Sequence, residues 1–160
     1  MTDSGREPIE VVQTMHDWFT SVPFEDWRKM LLENEDWESF LRACTERGFG
    51  YPDLIDPEVE IPAAGIGGLR DQAGFKGQAG WLRFWRAWFE PWADYKWTVS
   101  NPEQIGGSVV LDVSNVAHGR ESGAPVEWTN TQIWTIRDGR VVHLVGYETR
   151  AEAMAALDAE

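Results

Sequence analysis

A chain of 160 residues with 42% hydrophobic and 26% charged residues is long enough for one ordinary folded domain. Its formal net charge of −13 argues against nucleic acid and anionic membrane as partners, because both demand a basic surface. The single cysteine, Cys44, leaves no intrachain disulfide and fits a reducing cytoplasm; the opening MTDSGREP lacks the apolar stretch of a signal peptide, and no apolar run approaches the ~18 residues of a membrane helix.

Residues 1–6 are polar and are expected to fray. Glu7 and Pro8 suit a first helical turn, and Val12, Met15, Trp18 and Phe19 then form one apolar stripe to about Thr20. Pro23 ends that helix. Two further helical pieces follow in an extended region, 22–50. Phe24, Trp27, Met30 and Leu31 mark the first; Trp37, Phe40, Leu41 and Cys44 mark the second, with Asp36 as its cap. Gly48 to Pro52 reads as a loop and Glu58 to Ile61 as a short strand. A Gly-rich connection spans Ala63 to Gly74; a flap over a pocket mouth is its functional reading and a plain connector its bland one.

The densest aromatic stretch is KGQAGWLRFWRAWFEPW, Lys76 to Trp92. Trp81, Trp85, Trp88 and Trp92 recur at steps of 4, 3 and 4, one face of a helix, with Phe84 and Phe89 widening it and Arg83, Arg86 and Glu90 opposite. Such a stripe needs a broad apolar partner, and a curved sheet provides one. Most of its rings should be core and the rest pocket lining. Strands are then predicted at Tyr95–Val99, Val109–His118, Pro125–Ile136 and Arg140–Tyr147, with Gly106-Gly107, Ser122-Gly123 and Asp138-Gly139 as hairpin turns. Thr149-x-x-Glu152 opens a short terminal helix. The order, helices first and an antiparallel meander last, gives an α+β fold with helices packed on one face of a curved antiparallel sheet.

The segment FKGQAGWLRFWRAWFEPW, preceded by DPEVEI and followed by IRDGRV and the Tyr147 strand, resembles the SnoaL-like branch of the nuclear transport factor 2-like superfamily. The resemblance runs from about Asp53 to Leu157 and implies a single domain over 1–160. It implies a cone: a bent sheet wrapped around helices, with an internal hydrophobic pocket and, in many members, dimers formed through the outer sheet face. The superfamily holds ketosteroid isomerases, polyketide cyclases, epoxide hydrolases, dehydratases and non-enzymes, so the fold does not select a chemistry.

Strand alternation assigns faces independently. Leu111, Val113, Asn115 and Ala117 should point inward, as should Trp128, Asn130, Gln132, Trp134 and Ile136. In the last strand Val142, Leu144 and Gly146 lie opposite His143, Val145 and Tyr147. On the isomerase pattern, Gln132 stands where an oxyanion-hole Asp is expected, Met15 at a hydrogen-bonding Tyr and Ile61 at the Asp base. On the epoxide hydrolase pattern, Asn115 and Gly146 fall on the two catalytic Asp positions. Neutral groups fill every ionisable position, which makes catalysis an open question. The expected ligand-binding set is Met15, Trp18, Phe19, Ile61, Phe84, Trp85, Trp88, Val113, Asn115, Trp128, Asn130, Gln132, Trp134, Leu144 and Gly146. Asn115, Asn130 and Gln132 are its polar members and the best candidates for any catalytic role.

Other motifs carry little. His16, His118 and His143 have no ligand-spaced partner, and Asp56, Glu58 and Glu60 read as a solvated edge with no histidine near them, so neither a metal nor a cofactor is expected. Gly65 to Gly68 is no dinucleotide fingerprint. The leading expectation is a protein binding a small hydrophobic or aromatic molecule by neutral amides, with affinity flat across neutral pH and a homodimeric state. The alternatives are an enzyme of the same class (isomerase, cyclase, dehydratase or epoxide hydrolase) and a structural or partner-binding dimer with a filled pocket.

Overall fold

In the computed structural model, residues 7–34, 36–48, 51–62 and 74–159 are described. The elements run α1 (Pro8–Ser21), α2 (Phe24–Glu33), α3 (Trp37–Glu46), a 3-10 turn (Tyr51–Leu54), β1 (Ile55–Ile61), β2 (Phe75–Lys76), α4 (Gly77–Phe89), β3 (Trp92–Ile105), β4 (Ser108–Gly119), β5 (Pro125–Arg137), β6 (Arg140–Tyr147) and α5 (Arg150–Asp158). The expected fraying of 1–6 and nearly all of the Gly-rich connection, Ala63 to Ala73, lie outside the described residues.

Local chemistry accounts for most boundaries. Pro8 opens α1, and a reciprocal capping box joins Glu7 and Glu10. Gln104 ties that end to β3, accepting from Ile9 N at 3.1 Å and donating to Glu7 Oε1 at 3.1 Å. Asp36 caps α3 by accepting from Ser39 N at 2.8 Å. Val22 and Pro23 are both extended, at ψ 131° and 145°, and this corner separates α1 from α2. The Asp138-Gly139 hairpin has both residues at positive φ, 54° and 77°, as the tight turn requires.

The strands form one sheet in the order β2-β1-β6-β5-β4-β3, antiparallel throughout except for β1 against β6. The meander from β3 to β6 is as expected. The strands differ from the sequence reading in four ways. The first strand begins at Ile55 rather than Glu58, and β3 runs for 14 residues rather than five. The two-residue β2 was not foreseen. Gly80 lets α4 approach it: a Cβ there would sit 3.0 Å from the Phe75 carbonyl carbon. Trp92 belongs to β3 rather than to the aromatic helix. β3 forms one sheet edge, and its pairing to β4 slips between Trp92 and Asp94 and again between Ser100 and Glu103, beside Asn101 at φ +52°.

The core lies between the inner sheet face and the helices. Trp81, Leu82, Phe84, Trp85, Trp88 and Phe89 of α4 are all buried in it. Arg86, expected on the solvent side, instead donates from Nε to Leu31 O at 3.0 Å and from its terminal nitrogen to Asn34 O at 3.1 Å, so α4 closes the C-terminal end of α2. A second, smaller core sits on the outer face, where Ala153 of α5 covers Val110 and Ile133 with Met154 and Leu157 alongside. The Thr149–Glu152 capping box starts α5, and Arg150 pins it to Asp112 and Glu103, each at 3.1 Å.

Candidate functional site

The parities of β4 and β5 place three polar side chains inside, Asn115, Asn130 and Gln132, all buried as read from sequence; Thr131 is buried on the opposite, outer face. Val142 is a correction. Thr135 pairs with His143 but Ile136 with Val141, so a bulge at Val142 puts Val141 inside and turns Val142 outward.

Asn115 is the centre of a buried relay. Its Oδ1 accepts a hydrogen bond from the Tyr95 hydroxyl, and its Nδ2 donates to Trp128 O at 3.2 Å and Asn130 Oδ1 at 3.1 Å. Burial pushes the Tyr95 phenol far above its ordinary value, against a small opposing pull from the Trp88 indole, so it stays a neutral donor. The surplus in this region is on the donor side: the buried N–H groups of Asn130, Trp85 and Trp128 have no acceptor among the described residues. Gln132 stands apart, its Oε1 accepting from Trp134 Nε1 at 2.9 Å.

Two cavities lie nearby, one lined by Gln132 and the other by Tyr95. A small one of about 10 Å³ lies inside the cone among Val12, Met15, His16, Phe19, Trp97, Val99, Leu111, Gln132 and Trp134. An open, apolar cleft of about 340 Å³ lies at the α1–α2 corner, walled by Phe19, Val22, Phe24, Trp27, Phe89, Tyr95 and Trp97, with Thr20, Pro23 and Lys96 at its rim. Of the residues expected from sequence, Met15, Phe19, Gln132 and Trp134 line a cavity. Trp18 and Trp128 are half-buried outside both, and Ile61, Phe84, Trp85, Trp88, Val113, Asn115, Asn130, Leu144 and Gly146 also lie outside them. The cleft residues on α2 and β3 were missed. The signal was present: Tyr95, Trp97 and Val99 alternate in β3 just as the inward residues of β4 do.

His16 is half-buried on α1. Its Nδ1 accepts from Trp97 Nε1 at 3.2 Å, and burial holds its pKa below the ordinary value while Asp17 pulls weakly upward. Cys44 is fully buried, its thiol pushed up to about 12 by burial, and is inert. On the outer face, Asp56, Glu58 and Glu60 line a polar groove with Arg137 and His143; Glu60 pairs directly with His143, so a histidine does stand beside this edge, contrary to the sequence reading. Among the described residues no group of three or more His, Cys, Asp or Glu could hold a metal ion, and no helix is long and apolar enough to cross a membrane.

Comparison with known proteins agrees with this architecture. Residues 24–144 match the SnoaL-like domain family, and the chain belongs to it. An NTF2-like protein from Anabaena variabilis superposes with a TM-score of 0.62 at 12% identity, covering 93% of this chain and 94% of its own. A putative SnoaL-like polyketide cyclase from Jannaschia sp. gives 0.53 at 16%, covering 82% and 94%. TerC, co-crystallised with polyporic acid, gives 0.50 at 17%, covering 72% and 91%. At these identities the likeness is one of fold. A search of curated proteins returned no match.

Proposed function

We propose that this SnoaL-like protein binds a flat hydrophobic or aromatic small molecule, with its apolar body in the cleft at the α1–α2 corner. One observation carries the reading: the aromatic wall of the cleft ends on Tyr95, which is tied to a buried amide pair whose remaining N–H on Asn130 is unpartnered. A concave, mostly apolar site with a few convergent polar groups is the usual form of a small-molecule site. The surplus donors lie behind Tyr95 and outside the cleft lining, so the ligand's polar atom is an acceptor, such as a carbonyl oxygen, that meets Asn130 when the Tyr95 ring swings aside. Asn115, Asn130 and Gln132 position rather than transfer protons, since amides do not titrate. The co-crystallisation of TerC with polyporic acid supports small-molecule binding as a use of this fold.

Calorimetry with a matched pair, fluorene and 9-fluorenone, tests it. Binding of either, with a shift of Trp emission, supports the reading. Replacing Asn130 with Leu should then weaken the ketone by roughly 0.5–1.5 kcal/mol, the net worth of a neutral hydrogen bond, and leave the hydrocarbon unchanged. No heat and no emission change across a broad panel of planar aromatics would favour the second reading, a structural or partner-binding domain, which the nearly filled cone interior supports.

The reading keeps the chain in the cytoplasm and includes a homodimer. Such a dimer uses the part of the outer face that α5 leaves free, where Ser114, Val116, Glu127 and Thr129 are exposed. Light scattering giving twice 18.2 kDa supports it, and a mass of 18.2 kDa removes it.

A further inference from the structure

Phe19 and Trp97 border both the wide cleft and the small inner cavity. They are the wall between the two, their rings meeting edge to face at 5.2 Å and 72°. The inner side, at about 10 Å³, accommodates no more than a water. Trp97 is held from across the gap between α1 and β3. Its indole N–H donates to His16 Nδ1 at 3.2 Å, and the imidazole stacks beside it at 6.4 Å and 22°. That bond exists only while Nδ1 carries no proton, that is, for the neutral imidazole protonated on Nε2.

We propose that Phe19 and Trp97 form a gate between the cleft and the cone interior, that His16 is its latch, and that a ligand longer than the cleft reaches Gln132 only when the latch is released. The inference rests on the cleft being a ligand site. Inside the gate, Met15 is an adaptable wall, and Gln132, with its oxygen already engaged by Trp134, offers its amide N–H to an acceptor oxygen. The gate therefore selects by length, and the interior selects for a carbonyl or quinone oxygen at the far end of the ring system.

The charged neighbours of the latch are few. Among the described residues, Asp17 follows His16 on α1, and Lys96, which borders the cleft, precedes Trp97 on β3. The residues lining the inner cavity with His16, among them Val99, Leu111, Gln132 and Trp134, carry no charge. Burial keeps the imidazole neutral at pH 7, and acid removes the acceptor that holds Trp97. The flat pH profile expected from amides is thus confined to pH above about 6.5, the ordinary histidine value.

The first arm of the test needs no ligand. The indole N–H resonance of Trp97, assigned by its loss in Trp97→Phe, should shift and exchange faster as pH falls below about 6.5, following the titration of His16. In His16→Gln, whose amide oxygen can still accept, that resonance should not respond to pH. An indole that stays protected while His16 titrates, or a His16 that does not titrate, overturns the latch. The second arm measures stopped-flow association of 9-fluorenone and the longer 5,12-naphthacenequinone at pH 7.5. Trp97→Phe, which keeps a ring but loses the N–H, should admit the long ligand about five-fold faster, the factor for one lost neutral hydrogen bond, and leave the short one unchanged. His16→Leu should behave alike, which guards against a folding artefact in either variant. Equal rates for both ligands in all proteins overturn the gate while leaving the cleft reading intact. A titrating latch with no ligand bound at all removes the cleft reading instead.

Discussion

The cone interior and the α1–α2 corner are walled by the same residue types, yet one holds about 10 Å³ of space and the other about 340 Å³. The interior closes because α4 delivers Trp81, Phe84, Trp85, Trp88 and Phe89 at helical spacing onto an inner sheet face studded with Trp128 and Trp134; Trp81 meets Trp134 at 6.1 Å and Trp88 meets Trp128 at 6.0 Å. The corner stays open because Val22 and Pro23 leave helical geometry for two residues. Phe19 of α1 rests on Trp97 and Phe24 of α2 on Tyr95, and the cleft lies between these two contacts. Openness here is a property of the backbone corner, and composition does not reveal it.

The widest separation between the two regions should appear in stability. Trp85 touches Phe19, Trp81, Phe84, Trp88, Phe89 and Trp97 and is buried, so Trp85→Ala should cost about 3–5 kcal/mol by thermal or denaturant unfolding. Phe24 at the cleft is only half-buried, and Phe24→Ala should cost about 1–2 kcal/mol. Equal losses would erase the distinction between filled interior and open corner.

A second contrast concerns what holds the corner in place. Arg86→Leu removes both charged donors from the end of α2 and should cost about 2–3 kcal/mol, with faster amide exchange in α2 than in α1. Uniform exchange would mean that the cleft wall is fixed by packing alone.

Within the relay, Asn115→Leu strips Tyr95 of its acceptor and Asn130 of its donor. A loss of about 1–2 kcal/mol is expected, together with a shifted near-ultraviolet signal from Tyr95. An unchanged protein would show that these amides are satisfied some other way.

The smallest effect is the pH dependence from His16. Its folded pKa lies below the unfolded value of about 6.5, so its contribution is complete above that pH and declines as the solution is acidified towards the folded pKa. Unfolding midpoints measured from pH 5 to 8 should therefore fall on the acid side, and His16→Gln should flatten that slope. A slope of the opposite sign would mean that the imidazole is stabilised as a cation.

Much of the fold was legible because its signals are short-range. The caps at Asp36 and Thr149, the Asp138-Gly139 turn and the alternation in β4 and β5 each depend on residues a few positions apart, and each was read correctly. The buried amides followed from alternation as well. What escaped depends on distant pairings. The bulge at Val142 is set by how β5 meets β6, and the two residues of β2 have no periodicity of their own. The cleft depends on a helix-helix angle, and Arg86 looked solvent-facing because its acceptors, Leu31 and Asn34, lie some fifty positions earlier.

The exposed margin of the sheet at β3 bears on how the protein behaves in concentrated solution. An unprotected strand margin presents backbone donors and acceptors that can seed growth from one molecule to the next. Here the two slips in register confine the regular stretch to 94–100; Lys96 stands in its middle, and Asn101 and Pro102 bend the chain out of line directly after it. Together with a net charge of −13, which keeps molecules apart, this interrupted margin should let the protein remain dispersed at concentrations where a straight margin of 14 residues would nucleate fibrils.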